Sequence, residues 1–517
     1  MILTVAEIRE SERQTMIDEP ISSIDLMERA GHAFVEKLHS SITIQDFSGV
    51  VIFCGPGNNG GDGLVIARLL AIENFPVEVI ICSGNSEGTN EFQVNLERLQ
   101  KINNSNLTIT FLKNPQEIKV KERFLVIDAL FGIGLSHPLS GYYEEIVKVV
   151  NQSSAPIIAV DIPSGIFPDE HTSENSPSIC ANLTITFQFY KTAFLLPENE
   201  MRVGEVVVAD IGLRILKEHQ YMRQLIDNSL AKSLIQIPSK YSHKGSNGHG
   251  LLIAGSEKMP GAAIIATKSA LRSGIGKISV HLPKSIAMLI PITSPEALIS
   301  FDNNESFFSG IDFDKLPTIN AIAVGPGIGN NKITTAALKD LIDEVNSPII
   351  LDADALNILS ENKVWINYLP SNSILTPHFK EFERLAGKCQ NDFDRIKKLQ
   401  EFAIKHEVIV ILKGAHTVVA MPSGKLYFNT SGNPGLATAG SGDALTGILL
   451  SHLARGYHPE SAAILGVYLH GLAADVAIDF KESYESLTAW DIGKYMGFAY
   501  KKLLSSSKDT IHKNTTP

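Results

Sequence analysis

The sequence has little of what marks secreted, zinc-binding or nucleic-acid-binding proteins. It has 4 cysteines in 517 residues, and no two show the Cys-x-x-Cys spacing of a structural zinc site. Cys54 and Cys82 lie in apolar, strand-like runs, where we expect buried free thiols that suit a reducing cytosol. Acidic residues outnumber basic ones by 56 to 45, and the net charge of −11 argues against duplex nucleic acid and anionic membranes as partners.

Targeting and membrane signals are also missing from the sequence. The N-terminus is charged by Glu7 and has no apolar core of signal-peptide length, and no run of 18 apolar residues predicts a membrane span. We therefore expect a cytoplasmic protein. The P-loop pattern G-x-x-x-x-G-K-[ST] is absent, which argues against P-loop chemistry.

What is present is an alternation of short apolar runs and helical stretches, which occurs twice along the chain. Continuous apolar strands separated by helices predict parallel sheets covered on both faces. A polar stretch, 213–235, interrupts the alternation, so we predict one α/β domain over 1–215 and a second over 225–505. Residues 1–40 predict two helices, and the polar tail after residue 504 predicts disorder.

A glycine-rich segment, 55–63, follows the first predicted strand and opens a helix. Glycines expose backbone amides, and a helix N-terminus favours an anion. The segment matches G-x-G-x-x-G, but the next strand ends Cys82-Ser83-Gly84 without the acid that binds an NAD ribose, which disfavours a dehydrogenase. Asp62 would repel a phosphate, so we predict that the loop meets a sugar or a polar ring. The alternative is a plain turn.

Polar residues also follow two later strands of the first half. Asp128 follows one strand, and Asp161 and Ser164 follow another. Because the carboxyl ends of parallel strands form the ligand crevice, these residues and Asn59 are predicted to converge there. The alternative for each aspartate is a helix N-cap.

Together the motifs LMERAG (26–31), GPGNNGGDG (55–63), DALFGIG (128–134) and VDIPSG (160–165) resemble the NAD(P)H-hydrate epimerase family. The resemblance implies a Rossmann-like parallel-sheet domain with Asp161 as the acid/base group. It also implies a potassium ion held by Asn59, Asp128 and Ser164. The hydrated nicotinamide nucleotide would be bound by Asn58, Asn59, Gly60, Gly61, Asp62, Gly132, Ile133, Gly134, Leu135, Ser136, His137, Pro138 and Asp161.

A second glycine cluster, 433–443, opens an apolar helix in the second half. Amides of Ala439 to Gly442 would form an anion hole for a phosphoryl group, and Asp443 would accept a hydroxyl proton beside it. His378-x-x-Glu381 could position magnesium or a phosphate, while Asp352 and Asp354 end another strand. The alternatives are a capped helix start for the cluster, surface decoration for the His-x-x-Glu pair and helix caps for the aspartates.

These features resemble the ribokinase-like fold and, more closely, the ADP-dependent NAD(P)H-hydrate dehydratase family. The motifs include GPGIG (325–329), LDADALN (351–357), LKGAHT (412–417) and GNPGLATAGSGD (432–443). The resemblance implies Asp443 as the catalytic residue. The hydrate would contact Gly327, His378, Phe379, Lys380, Glu381, Phe382, Glu383, Arg384 and Asp443. ADP would contact Lys413, Gly414, Ala415, His416, Thr417, Asn433, Pro434, Gly435, Leu436, Ala437, Thr438, Ala439, Gly440, Ser441 and Gly442.

Two departures from the family pattern concern loop contacts. The usual His-Pro-Gly-Glu is His378-Phe379-Lys380-Glu381 here, and the usual aromatic before Gly-Ala-Ala is replaced by Met259-Pro260. Neither departure changes the reaction class that the resemblance implies.

The two resemblances imply a bifunctional enzyme that repairs hydrated NADH and NADPH (NADHX and NADPHX), exchanging the R and S forms and dehydrating S. ADP would be the co-substrate, giving AMP and phosphate, with K⁺ in the first domain, Mg²⁺ in the second and a homo-oligomeric state. One alternative is a vitamin-precursor kinase of the hydroxyethylthiazole or hydroxymethylpyrimidine type with an appended binding domain. Another is a non-enzymatic nucleotide-sensing or lipoprotein-partner module in the first half.

Overall fold

The computed structural model describes residues 1–84, 86–215 and 222–505. The chain forms two compact units, residues 1–221 with 391–393, and residues 222–390 with 394–517. The tail predicted to be disordered lies outside the described residues from 506 onward.

The first unit is built on a seven-stranded sheet in the order β3-β2-β1-β4-β5-β6-β7, with every neighbouring pair parallel. The three central strands β1, β4 and β5 are buried along their whole length, as their apolar sequences predict for a sheet covered on both faces. The strands are β1 Gly49–Cys54, β2 Val77–Ile81, β3 Leu107–Phe111, β4 Phe124–Ala129, β5 Ile157–Val160, β6 Leu183–Phe187 and β7 Glu205–Ala209.

Two N-terminal helices precede this sheet, which confirms the prediction for residues 1–40. Each begins with a capping box, Thr4 with Glu7 and Ser22 with Asp25, in which side chains bond the backbone N–H groups that a helix start leaves free. The α-helices of the unit are α1 Val5–Asp18, α2 Ser23–Ser41, α3 Asn58–Ile72, α4 Asn90–Gln100, α5 Tyr142–Asn151 and α6 Glu200–Val203.

The second unit has a ten-stranded mixed sheet in the order β11-β10-β9-β12-β13-β14-β15-β16-β17-β8. The strands from β11 to β15 are parallel, β16 is antiparallel to both of its neighbours, and β8 pairs parallel with β17. The strands are β8 Arg223–Ile226, β9 His249–Ile253, β10 Lys277–Leu282, β11 Leu298–Phe301, β12 Ala321–Val324, β13 Ile349–Leu351, β14 Ile374–Leu375, β15 Ile409–Leu412, β16 Val418–Ala420 and β17 Leu426–Asn429.

Helices α8, α15, α16 and α17 supply most of the helical part of this unit's apolar core. The α-helices of the unit are α7 Asn228–Leu234, α8 Pro260–Arg272, α9 Lys284–Ala287, α10 Leu289–Thr293, α11 Lys332–Glu344, α12 Asp354–Glu361, α13 Phe379–Ala386, α14 Asp392–His406, α15 Ser441–Ala454, α16 Pro459–Phe480 and α17 Ala489–Leu504.

Helix α16 is long and apolar enough, by length and composition, to cross a membrane. The sequence analysis did not single it out, because Gly471 and His470 interrupt its apolar run. In the structure 78% of its 18-residue apolar window is buried inside the protein, which is what a core helix shows.

The predicted fold class, two successive α/β units with largely parallel sheets, is confirmed. The polar stretch 213–235 differs from its interpretation as an interruption, because it contains the edge strand β8 and helix α7. An edge strand pairs on one side only and needs less apolar sequence, so its pattern was weak.

Candidate active sites

The first site lies where the carboxyl ends of β1, β4 and β5 meet. Helix α3 begins at Asn58 directly after the glycine turn, and the turn is tight because its backbone segments touch. A Cβ added at Gly60 would stand 1.8 Å from the carbonyl oxygen of Gly55, so no larger residue fits there. Asn59, Gly60 and Gly61 are buried beneath the turn, whereas Asn58 is exposed.

Asp128 and Ser164 form one hydrogen-bonded unit at the end of β4. The Asp128 carboxylate accepts from the Ser164 N–H at 2.8 Å and from the Ser164 hydroxyl at 2.7 Å. The Phe131 N–H donates to the same hydroxyl oxygen at 2.8 Å. Burial raises the pKa of Asp128 to about 6, and the hydrogen bonds from Ser164 oppose that rise.

Asn59, in the first turn of α3, carries a buried amide group without a partner in the described part of the chain. A Cβ at Gly132 would lie 3.1 Å from its side-chain oxygen, which places Asn59 against the 132–138 loop. Its Nδ2 is buried and has no hydrogen-bond partner among the residues that the structure describes. Within that loop Gly134, Ser136, His137 and Pro138 are exposed, while Ile133 and Leu135 are half-buried.

Asp161 follows β5 in the left-handed backbone region, with φ +64°, and is buried. Its Oδ1 accepts from the Phe187 N–H at 2.9 Å, from the Thr186 hydroxyl at 3.2 Å and from the Lys191 ammonium. Lys191 is itself only 1% exposed and also donates to Thr186 at 2.6 Å. The sequence analysis missed this buried lysine.

Two further carboxyls lie close to Asp161. Burial, followed by the charges of Asp161 and Glu12, raises the pKa of Asp62 well above its ordinary value. Glu12 of α1, which the sequence analysis also missed, has its pKa raised to about 7, chiefly by burial and then by Asp161. Glu12 is one of several acidic residues of α1, so nothing in the sequence marked it.

The second site is built at the N-terminus of α15, around the second glycine cluster. Gly440 is the N-cap in the left-handed region, φ +88°, which turns the chain into the helix. A Cβ at Gly442 would lie 3.2 Å from the Lys413 Nζ, so the ammonium sits directly against the amide cradle. Burial, then the charge of Asp352, raises the pKa of Asp443 to about 7.

Asp352, at the end of β13, is paired with Lys413 although 61 residues separate them. The Lys413 ammonium donates to Oδ1 at 2.8 Å, and the Thr446 hydroxyl of α15 donates to Oδ2 at 2.8 Å. Asp352 is 1% exposed, and the pKa of its carboxyl is lowered: burial acts to raise it, but Lys413 and the hydrogen bonds outweigh burial. The site therefore joins β13, β15 and α15.

The other nucleotide-loop residues surround this cradle. Asn433 accepts from the Gly435 N–H at 3.0 Å and donates to Asp475 at 3.0 Å, which fixes the start of the glycine cluster. The loop that follows β15 is closed by Thr417, whose hydroxyl donates to the Gly414 carbonyl at 2.9 Å. Gly414, Ala415, His416, Pro434, Ala437 and Ala439 are exposed, and Lys413, Thr417, Leu436, Thr438, Ser441 and Gly442 are half-buried.

The segment predicted to contact the hydrate starts as a capping box on α13. The His378 N–H donates to Glu381 at 2.8 Å, and the His378 ring nitrogen accepts from the Lys380 N–H at 3.1 Å. The sequence analysis suggested that His378 and Glu381 could position magnesium or a phosphate. In the structure they cap the N-terminus of α13.

Other members of the segment point in different directions. Phe382 is fully buried against Phe402, so its side chain belongs to the core. Phe379 packs on Gly414, Arg384 donates to Asn357 at 2.8 Å, and Glu383 accepts from the Cys389 N–H. Gly327 lies against Met259 at the start of α8.

Comparison with known proteins identifies both units. Residues 23–193 match the family model described as the YjeF-related protein N-terminus, and residues 250–496 match the one described as NAD(P)H-hydrate dehydratase. The bifunctional NAD(P)H-hydrate repair enzyme Nnr of Moorella thermoacetica is 31% identical and covers 97% of each chain. The chain belongs to the bifunctional NAD(P)H-hydrate repair enzyme family.

A second full-length relative and a solved structure of one domain are also similar to this chain. The Nnr enzyme of Thermofilum pendens is 33% identical over 99% of both chains. A solved ADP/ATP-dependent NAD(P)H-hydrate dehydratase from Bacillus subtilis, co-crystallised with ATP and Mg²⁺, is 31% identical. It aligns with 54% of this chain and 98% of its own, with a TM-score of 0.47.

Proposed function

We propose that this chain restores hydrated NADH and NADPH in two reactions at two separate sites. The domain over 1–215 exchanges the R and S forms of the hydrate, and the domain over 225–505 dehydrates the S form with ADP, giving AMP and phosphate. The observation that carries this proposal is that each unit has a glycine-built amide turn with an aspartate close to it, the buried Asp161 in the first and the half-buried Asp443 in the second.

In the first site Asp161 would act as the acid/base group at the epimerising carbon. Its Oδ1 is held by three donors, so Oδ2 is the oxygen left for the substrate. The nucleotide would lie along residues 58–62 and 132–138, where the amide turn and the exposed loop face the same strand ends. Asp62, whose raised pKa favours its neutral form, can then hydrogen-bond a polar ring without repelling it.

The donors around Asn59, Asp128 and Ser164 suit a potassium ion. They offer an amide oxygen, a carboxylate and a hydroxyl, which are the ligands that hard cations prefer. The unpaired Nδ2 of buried Asn59 is a hydrogen-bond donor, so it would serve an acceptor atom of the substrate and not the cation. A bound K⁺ would balance the charge of Asp128 and order the turn at Phe131 and Gly132.

In the second site Asp443 would take the proton of the C6 hydroxyl as phosphate is transferred to it. Phosphorylation converts a poor leaving group into a good one, and the electrons of the ring nitrogen then expel it. Amides of Ala439 to Gly442 and the Lys413 ammonium would stabilise the charge that develops on the phosphoryl oxygens. Asp352 would position Lys413.

Magnesium would enter this site with the nucleotide. Throughout residues 1–84, 86–215 and 222–505, no three His, Cys, Asp or Glu side chains come together as a metal site. Mg²⁺ in phosphoryl-transfer sites commonly needs only one or two carboxylates besides the phosphates, so a cluster of three is not required. When bound, it would spread the negative charge of the phosphates.

The test is incubation of the purified chain with mixed R and S NADHX, with and without ADP. We expect absorbance at 340 nm to recover only when ADP is present, with both the R and the S form of NADHX consumed. Without ADP, chromatography should show exchange between the R and S forms. Phosphorylation of a thiazole or pyrimidine alcohol in place of NADHX would instead favour the kinase alternative. No reaction of either hydrate would overturn the proposal.

A further inference from the structure

Helix α1 is fixed beside the first site by the chain on both sides of it. The Leu3 N–H donates to the Tyr190 carbonyl at 3.1 Å, and the Tyr190 N–H donates to the Met1 carbonyl at 3.1 Å. At the far end the Arg214 N–H donates to the Thr15 hydroxyl at 2.8 Å. The helix is therefore held next to Lys191, the residue that pairs with Asp161.

One face of α1 is directed at the site. Ile8 belongs to an apolar cluster with Phe189, and Ile133 of the 132–138 loop packs against that cluster. Glu12 lies one turn beyond Ile8, on the same face of the helix. Arg9 shares this side, since its Nη2 would be 3.9 Å from a Cβ at Gly134.

The charges around Glu12 are of both signs, and neither nearby cation, Arg9 or Lys191, forms a salt bridge with it in the part of the chain that the structure describes. Lys191 is bonded to Oδ1 of Asp161, and Asp62 adds a third carboxyl from α3. Among the residues that the structure describes, no hydrogen bond or ion pair joins the Glu12 carboxyl to another side chain. Four charged or titratable groups face it, namely Arg9, Asp62, Asp161 and Lys191. Two neighbouring carboxyls whose environments differ are suited to opposite acid and base roles.

We propose that Glu12 is a second catalytic residue of the R/S exchange, acting as the acid while Oδ2 of Asp161 acts as the base. The inference rests on the proposed epimerase function of this site. Glu12 lies outside residues 23–193, which match the family model, so that match assigns it no role.

The reaction is a reversible ring opening in which one proton is taken and one is given. Asp161 removes the proton of the C6 hydroxyl, a C6=O bond forms, and the C6–N1 bond breaks. The electron pair of that bond goes to N1, which takes the proton of Glu12. Rotation about the C5–C6 bond and the same steps in reverse give the other epimer, returning one proton to Glu12 and leaving Asp161 ionised.

The experiment measures exchange of purified R-NADHX by chromatography, without ADP, in the full chain and in Glu12→Gln. We expect the exchange rate to fall by about 10²–10⁴-fold, the usual contribution of a positioned acid. The matched control is Glu10→Gln, two residues away on the outer side of α1, where Glu10 pairs with the exposed Arg13. Its exchange rate should stay within about twofold of the unchanged chain.

A pH profile separates catalysis from a structural role. Because Glu12 must be protonated to act as the acid, exchange by the unchanged chain should fall above about pH 7, and Glu12→Gln should lack that fall. Glu12→Asp keeps the carboxyl and should recover part of the rate. Peptide-level hydrogen exchange over residues 5–18 checks that α1 remains folded, and ADP-dependent dehydration of S-NADHX checks the rest of the chain.

Two results would count against the inference in different ways. If the unchanged chain exchanges R and S, and Glu12→Gln does so at the same rate with the same pH profile, Glu12 is not catalytic. If the unchanged chain shows no exchange at all, the proposed epimerase function is wrong and the role of Glu12 falls with it.

Discussion

Both candidate sites combine an aspartate after a parallel strand with a lysine, buried in the first and half-buried in the second, but the lysine contacts a different carboxyl in each. In the first unit Lys191 bonds Asp161 itself, the proposed acid/base group. In the second unit Lys413 bonds Asp352, and Asp443 stands apart from that pair with its pKa raised to about 7. Under the proposed function, Lys191 would orient the reacting carboxylate, whereas Lys413 would face the phosphoryl group.

This difference suits the two reactions. Exchange at C6 involves no phosphate, so Lys191 is available to hold Oδ1 of Asp161, which leaves Oδ2 for the substrate. Phosphoryl transfer needs a positive charge near the phosphate and a base near the hydroxyl, and these two groups must lie at different positions. The second site provides the two on different residues, and the buried Asp352 fixes where the ammonium lies.

The largest expected effect comes from Asp443→Asn. Because an amide cannot take the hydroxyl proton, ADP-dependent recovery of absorbance at 340 nm should fall by about 10²–10⁴-fold. R/S exchange, followed by chromatography of the same sample, should continue unchanged.

Asp161→Asn is the control for this variant, and it should slow exchange while S-NADHX is still dehydrated. Loss of both activities in either single variant would refute the separation of the two sites.

The next effect concerns the paired lysine of the second unit. Lys413→Met leaves Asp352 buried without its partner, so the free energy of unfolding of this unit should decrease by about 3–5 kcal/mol. Both tryptophans, Trp365 and Trp490, lie in this unit, so tryptophan fluorescence in urea reports on it specifically.

A double variant, Asp352→Asn with Lys413→Met, removes the uncompensated charge and should regain more than half of the lost stability. If the single and double variants unfold at the same urea concentration, the ion pair is not what stabilises this site.

A smaller effect is expected from pH. Asp443 works as a base only when ionised, and burial raises its pKa to about 7. The dehydration rate at saturating ADP should therefore increase about tenfold per pH unit below that value and become constant above it. Initial rates across this range, corrected for the enzyme-free reaction, provide the measurement, and a flat profile through pH 6 would contradict the role of Asp443.

The smallest effect comes from the left-handed glycine that opens α15. Gly440→Ala should cost about 1–2 kcal/mol of stability because a Cβ is strained at φ +88°. It should also raise the KM for ADP, because this residue supplies one amide of the cradle.

Gly456→Ala is the matched comparison, since φ is +84° there and a Cβ would meet nothing within 4 Å. Gly456 lies beyond the opposite end of the same helix, so its variant should lose stability through backbone strain alone, without the contact of a Cβ at Gly440 with Ile265, and should keep the KM for ADP. Equal KM values in the two variants would remove Gly440 from the nucleotide site.

Much of the architecture was predictable from the sequence because local patterns carry it. Fully apolar runs such as 50–54 and 124–127 predict strands covered on both faces, and the glycine clusters predict tight backbone turns. Strand β8 was not predictable, because its sequence, Arg223–Ile226, is polar for a strand and its pairing with β17 lies about two hundred residues away.

The sequence by itself determined the two α/β units, the two glycine turns and the aspartates Asp161 and Asp443 that accompany them, because each of these depends on residues that are neighbours in the chain. Only the tertiary structure decided that Glu12 turns inward, that Lys191 reaches Asp161, and that Lys413 pairs with Asp352. Those contacts depend on how distant strands and helices pack, and the burial that packing creates is what raises the pKa of Glu12.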